Sequence, residues 1–197
     1  MTQRILLLDD EPNVLTALKR ALRLGLGPEV RIEVTVDPHI ALVRLAEVAF
    51  DLVVSDYRMP LMDGLTFLKQ VRAAQPGVVR VMLSASSEID TVMNAVNDAE
   101  VFRFLSKPWQ QDALVAQVRE ALARATSARG DRELADAMRL QTGSASAGEI
   151  ERRRLEALEP GITHVEWGAG GEVLIPTGLP DVTELDGISA TEFGRLS

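Results

Sequence analysis

Five residues scattered through the chain have side chains suited to holding a cation and a phosphoryl group: Asp9, Asp10, Asp56, Ser84 and Lys107. Each closes or follows an apolar run. Asp9 and Asp10 end Ile5-Leu6-Leu7-Leu8, Asp56 ends Leu52-Val53-Val54-Ser55-Asp56, Ser84 ends Val81-Met82-Leu83-Ser84, and Lys107 follows Val101 to Leu105. Taken singly, each has an ordinary reading: a polar turn, an acid after a strand, a helix cap, a solvated lysine. Taken together, they put three carboxylates, a hydroxyl and an ammonium at the ends of successive strand candidates. Adjacent carboxylates repel, and a divalent ion would offset that repulsion. Oxygen donors without His or Cys favour a hard cation such as Mg2+.

The elements that must position these residues are legible in the hydrophobic pattern. Strand candidates are Arg4–Leu8, Arg31–Val36, Leu52–Asp56, Val79–Ser84 and Val101–Leu105. They are apolar without polar alternation, as in strands covered on both faces. Helix candidates lie between and after them. The first begins at Glu11-Pro12, with Asp10 as its expected N-cap, carries Val14, Leu15, Leu18 and Leu22 on one face, and ends at Gly25 and Gly27. The others are Pro38–Val48, Leu65–Ala74, Glu88–Val96 and Gln111–Ala125. Five such βα units predict an α/β fold, a doubly wound (βα)5 five-stranded parallel sheet. In such sheets ligands sit at the carboxyl ends of the strands, where all five residues fall.

Composition narrows the classes. The 197 residues are 46% hydrophobic and 25% charged, which suits a globular core. There is no cysteine, which excludes disulfides and thiol catalysis. No segment approaches the roughly 20 apolar residues of a membrane span, and the amino terminus lacks a signal-peptide core. A cytoplasmic protein without membrane attachment is expected. The net charge of −8 is concentrated at the end: residues 130–197 hold 6 basic and 13 acidic residues. An acidic carboxyl-terminal third is repelled by phosphodiester backbones, so direct nucleic acid binding is not expected.

Asp9-Asp10, Asp56, Ser84 and Lys107-Pro108, in that order across a (βα)5 pattern, resemble the receiver domain of two-component response regulators. The likeness covers about residues 4–125. Arg103-Phe104-Leu105-Ser106-Lys107-Pro108-Trp109 is similar to receivers that precede cyclic-dinucleotide phosphodiesterase outputs, though neither that domain's His-Asp pair nor a Gly-Gly-Asp-Glu-Phe cyclase motif is present. The resemblance implies that Asp56 is the phosphoacceptor, served by a sensor histidine kinase or a phosphotransfer protein. It implies that Asp10 and Asp56 bind Mg2+ directly, Asp9 through a water, and Arg58 through its backbone carbonyl. Ser84 and Lys107 would hold phosphoryl oxygens, and the Lys107-Pro108 bond would be cis. Arg58 and Ser86 stand where the family tunes the lifetime of the phosphorylated form. Phe104 stands at the family's aromatic switch position, where the plain alternative is core packing, and Phe102 is expected on the same strand face. Such a switch would reshape a face built from the 88–96 helix, the last strand and the helix beginning at 111.

The chain then divides into a receiver over 1–125, an extended helix and small-residue linker over 126–148, and an appendage over 149–197 with a short helix, a hairpin and an acidic tail. The hairpin is read from Ile162–Trp167 and Glu172–Ile175, flanking Gly168-Ala169-Gly170-Gly171. Arg152-Arg153-Arg154 lies among glutamates and reads as a solvated helix face, and His39 and His164 have no partner at metal-ligand spacing. The appendage is expected to serve interaction or dimerisation. Leu114, Val118, Ala121, Leu122 and Ala125 offer an apolar stripe, part of which must cover the sheet, and a coiled coil in a homodimer is one arrangement for the rest. An enzyme is not expected. The competing enzymatic reading, a haloacid dehalogenase-like phosphohydrolase, requires an acid two residues after Asp56, and Arg58 stands there.

Overall fold

The computed structural model describes residues 2–85, 99–143, 146–158, 166–167 and 173–174. The strands form where apolar side chains occupy both parities of a run. They are β1 (Arg4–Leu8), β2 (Arg31–Thr35), β3 (Leu52–Asp56), β4 (Val79–Ala85) and β5 (Arg103–Lys107). All pair in parallel, in the order β2-β1-β3-β4-β5. In β1, Ile5 and Leu7 enter one core while Leu6 and Leu8 enter the other, which is why no polar residue interrupts the run.

The first core is closed by α1 (Pro12–Leu26) and by α4 (Gln111–Gln141), through Leu15, Leu18, Leu22, Leu114, Val118 and Leu122. The second is closed by α2 (Pro38–Glu47) and α3 (Gly64–Ala74), through Leu45, Phe67, Leu68 and Val71. Asp37 caps α2 by accepting from the His39 and Ile40 amides, and Asp63 caps α3 by accepting from Thr66. The doubly wound parallel fold expected from the pattern is the fold observed. Strand ends and the ends of the first three helices agree within two residues. The last sheet-covering helix runs on from its expected end at Ala125 to Gln141, and the 88–96 helix candidate lies outside the described residues.

Three expectations are corrected. Asp10 does not cap α1: Pro12 opens the helix, which makes Glu11 the cap residue, and Glu11 makes no side-chain cap bond. The last strand begins two residues later than its apolar run. Glu100 turns the chain with φ 46°, and pairing with β4 starts only at Arg103. Phe102 therefore precedes the strand, alternation does not govern it, and it packs on the first core while Phe104 packs on the second. Finally, the stripe Leu114, Val118, Ala121, Leu122 and Ala125 is wholly buried in the first core, so it offers no surface for a second helix.

Helix α4 runs on for 31 residues, through Gly130. Gly in a helix interior costs about 1 kcal/mol relative to Ala, and here the turns before it are tied down by Gln3 to Thr126 and by Arg129 to Asp51. Helix α5 (Ala147–Leu158) follows, and Ser146 and Glu149 bond reciprocally at its start as a capping box. Farther on, β6 (Glu166–Trp167) and β7 (Val173–Leu174) pair antiparallel as the expected hairpin, in a separate unit spanning residues 164–197. The rest of each hairpin strand lies outside the described residues.

Arg80 is a charged residue set inside the sheet, 5% exposed on β4. It is tolerated because its guanidinium donates to the carbonyls of Ala99 at 2.8 Å and Val78 at 2.7 Å, with Glu100 beside it. Arg80→Met removes these donors and leaves buried carbonyls unpaired. Urea unfolding should show a loss of about 2–3 kcal/mol, against little change for the half-exposed Arg72→Met.

Candidate functional site

Strand register brings the distant residues together. Leu8 pairs with Ser55, so Asp9 and Asp56 emerge side by side from β1 and β3. Asp56 pairs with Leu83, which sets Ser84 one step beyond it on β4. Ala85 pairs with Lys107 on β5. The chain leaves β1 for β2 on one side and returns to β3 on the other, so Asp9 and Asp56 flank the point where the winding reverses.

At that point the Lys107 ammonium lies 2.5 Å from Asp56 Oδ1 and 2.7 Å from Asp9 Oδ2. The remaining carboxylate oxygens are also held. Asp9 Oδ1 accepts from the Glu11 amide at 3.0 Å, and Asp56 Oδ2 accepts from the Arg58 amide at 2.8 Å. Both carboxylates are buried, so the shared ammonium is the nearest counter-charge. Burial lifts the Asp56 carboxyl above the usual carboxylate range. The Lys107 hydrogen bond pulls it back only in part, and the charge of Asp9 adds to the rise. For Lys107, burial acts downward, but hydrogen bonds to Asp56 and Asp9 outweigh it and its pKa is raised. The lysine is thus locked as a cation, and Asp56 is a carboxylate poised to accept neutralisation.

Asp9, Asp56 and Lys107 meet; Ser84 is buried beside them at the end of β4. Asp10 is exposed. Among the described residues no three acidic or histidine side chains form a cluster ready to hold a metal, so the expected ligand set of Asp9, Asp10 and Asp56 is not gathered as one. Lys107 pairs with the two buried carboxylates, while Asp10 stands exposed at the mouth of the edge. The donors still suit a hard cation, since two carboxylates against one ammonium leave the site negative. Arg58 approaches Asp56 through its backbone amide. Phe104 is half-buried on β5, paired with Met82. Lys107-Pro108 is cis. Ser86 lies outside the described residues.

One residue at the site was not singled out by its chemistry. Gly64 opens α3 and donates its amide to the Tyr57 carbonyl at 2.8 Å, folding the loop back under Asp56. A Cβ on Gly64 would stand 2.0 Å from the Asp56 carbonyl oxygen. The only sequence signal was the Asp63-Gly64 pair, which by itself reads as a turn.

Comparison with known proteins gives one family. The model of the response regulator receiver domain matches residues 5–119. The hydrogenase transcriptional regulatory protein HoxA of Cupriavidus necator is 32% identical over 118 residues, 60% of this chain and 24% of HoxA. The chain thus spans about a quarter of the length of that relative. The signal receiver domain of an HD domain-containing protein from Pseudomonas fluorescens is 31% identical, with a TM-score of 0.60 over 66% of this chain and 93% of that one. A CheY-like receiver domain protein from Methanospirillum hungatei, 21% identical with a TM-score of 0.58, covers 64% of this chain and 98% of its own and shares the fold.

Two outcomes follow from the geometry. Lys107→Met leaves burial and Asp9 opposed only by the Arg58 amide, so the Asp56 pKa rises further, as a carboxyl 13C NMR titration of metal-free protein would read. The loss of stability should be on the order of 3 kcal/mol near neutral pH and shrink as pH falls through the raised Asp56 pKa, because a neutral carboxyl needs no counter-charge. An unchanged Asp56 titration would mean that the ammonium does not control the carboxyl. Gly64→Ala must push against backbone, so a loss of about 2 kcal/mol in chemical denaturation and a displaced Asp56 carboxyl resonance are expected.

Proposed function

The chain belongs to the response regulator receiver domain family, and on that premise we propose that Asp56 accepts a phosphoryl group and so switches a protein-interaction surface. Receivers of this family act with histidine kinases or phosphotransfer proteins; the donor proposed here is the phosphohistidine of such a partner. An Asp56 carboxylate oxygen forms a bond to phosphorus as the phosphorus–nitrogen bond breaks, and the imidazole leaves with the electron pair. The product is an acyl phosphate, which water hydrolyses to restore Asp56.

The observation that carries this reading is the Lys107 ammonium held between Asp56 and Asp9 at the carboxyl edge of the sheet. A carboxylate attacking a phosphoryl group brings anions together, and preplaced positive charge lowers that barrier without reorganisation. Lys107 can pass from the Asp56 oxygen to a phosphoryl oxygen while keeping its bond to Asp9. The Arg58 amide steadies the other Asp56 oxygen. The Ser84 hydroxyl, at the neighbouring strand end, would donate to a second phosphoryl oxygen, and Phe104 would adjust its packing as Ser84 is drawn in. Mg2+, held by Asp10, Asp56 and the Arg58 carbonyl and through water by Asp9, would supply the remaining charge neutralisation.

The output is proposed to run through the C-terminal residues as a non-enzymatic protein contact. Their net negative charge argues against direct contact with nucleic acid. Among the described residues no helix is long and apolar enough to cross a membrane. With a chain free of cysteine, this supports work in the cytoplasm.

Incubation with acetyl phosphate and Mg2+ should add one phosphoryl group to the full chain, seen by intact mass and lost on hydroxylamine treatment. Asp56→Asn should stay unmodified, and chelation of Mg2+ should abolish the modification. An unmodified wild-type protein, or modification that survives in Asp56→Asn, would overturn the assignment.

A further inference from the structure

The family match ends at residue 119, yet α4 continues to Gln141. Three contacts tie the continuation to the amino edge of the sheet, the edge opposite Asp56. The Arg129 guanidinium pairs with Asp51 Oδ1. The Gln3 side-chain amide donates to the Leu122 carbonyl at 3.3 Å and to the Thr126 hydroxyl at 3.1 Å. The Arg132 guanidinium covers Gly77, where an added Cβ would stand 2.0 Å from it.

The Asp51 contact is the informative one. This carboxylate is only 6% exposed, and its other oxygen takes the Arg4 amide at 2.8 Å. Its backbone joins three strands, donating to the Arg4 carbonyl at 2.9 Å and accepting from the Val79 amide at 3.0 Å. A buried carboxylate at such a junction requires a counter-charge, and removing it is strongly unfavourable. Arg129 supplies it from beyond the segment that the family shares. An arginine on a solvated helix end would leave Asp51 buried without a cation; the geometry gives the pair a shared purpose.

We propose that Arg129 is a coupling residue that locks the helical extension to the base of β3, the strand that carries Asp56 at its other end. Residues 120–132 are then an obligatory part of the folded unit, and the remainder of α4 leaves it as an arm of fixed direction. The lock does not depend on phosphorylation; only the use of the arm for output rests on the function proposed above.

Because the chain has no cysteine, Ala17→Cys on α1 and Ala137→Cys on the arm give two unique spin-label sites in the full-length protein. Pulsed electron paramagnetic resonance should give one narrow distance peak. Arg129→Met should abolish that narrow peak, Arg129→Lys should recover it in part, and Arg124→Met, on an exposed turn of the same helix, should leave it intact. If Arg129→Met does not fold, the Asp51→Asn/Arg129→Met pair removes both charges and should fold with the same broadened distribution. A narrow peak that persists without Arg129 would overturn the lock. Acetyl phosphate modification of Asp56, measured on the same samples, should be unchanged in Arg129→Met. Failure of that modification in wild type would refute the phosphoacceptor reading and leave the lock standing.

Discussion

One ammonium shared by two buried carboxylates governs the carboxyl edge of this sheet. Asp9 and Asp56 emerge from adjacent parallel strands into a buried edge, and the Lys107 ammonium pairs with both. The arrangement is under-compensated, since one positive charge faces two negative ones. The proposed function uses both features: the residual negative charge would suit a cation, and the fixed ammonium would meet a phosphoryl group. Stability and chemistry pull in opposite directions at the same three side chains, a common condition of sites that must react.

The rest of the sheet is built so that the edge can carry this load. Apolar residues of both parities in β1, β3 and β4 fill two cores, and the strands between them pair in continuous parallel register. The strands therefore have little freedom to slide, and a slip of one residue would turn each functional side chain to the opposite face. At the opposite edge a second buried carboxylate, Asp51, finds its cation in Arg129. The strand that carries Asp56 is thus bounded at each end by an acid paired with a distant base. One pair belongs to the site and the other to the frame.

Much of this was legible in the sequence. Asp9, Asp56, Ser84 and Lys107 each closed an apolar run, and runs without polar alternation signal strands buried on both faces, so the parallel sheet and its reactive edge could be read directly. The β6–β7 pairing was likewise readable from its flanking apolar residues. Other features were hidden because they depend on residues far apart. Gly64 matters through its approach to the Asp56 carbonyl, which no local pattern encodes. The late start of β5 follows from the turn at Glu100, whereas hydrophobicity marks burial and not pairing. The continuation of α4 through Gly130 runs against local propensity and is held by Asp51, Gln3 and Gly77.

The sequence by itself determined which strands form, which face of each helix is buried, and which side chains reach the reactive edge. These follow from the periodicity of burial and from the placement of charges at the ends of apolar runs, both local properties. Only the tertiary structure decided how the charges pair: Lys107 with Asp9 and Asp56 together, Asp10 left in water, Arg129 sent to Asp51. Pairing depends on distance and desolvation, and neither exists until strands remote in sequence are brought into register.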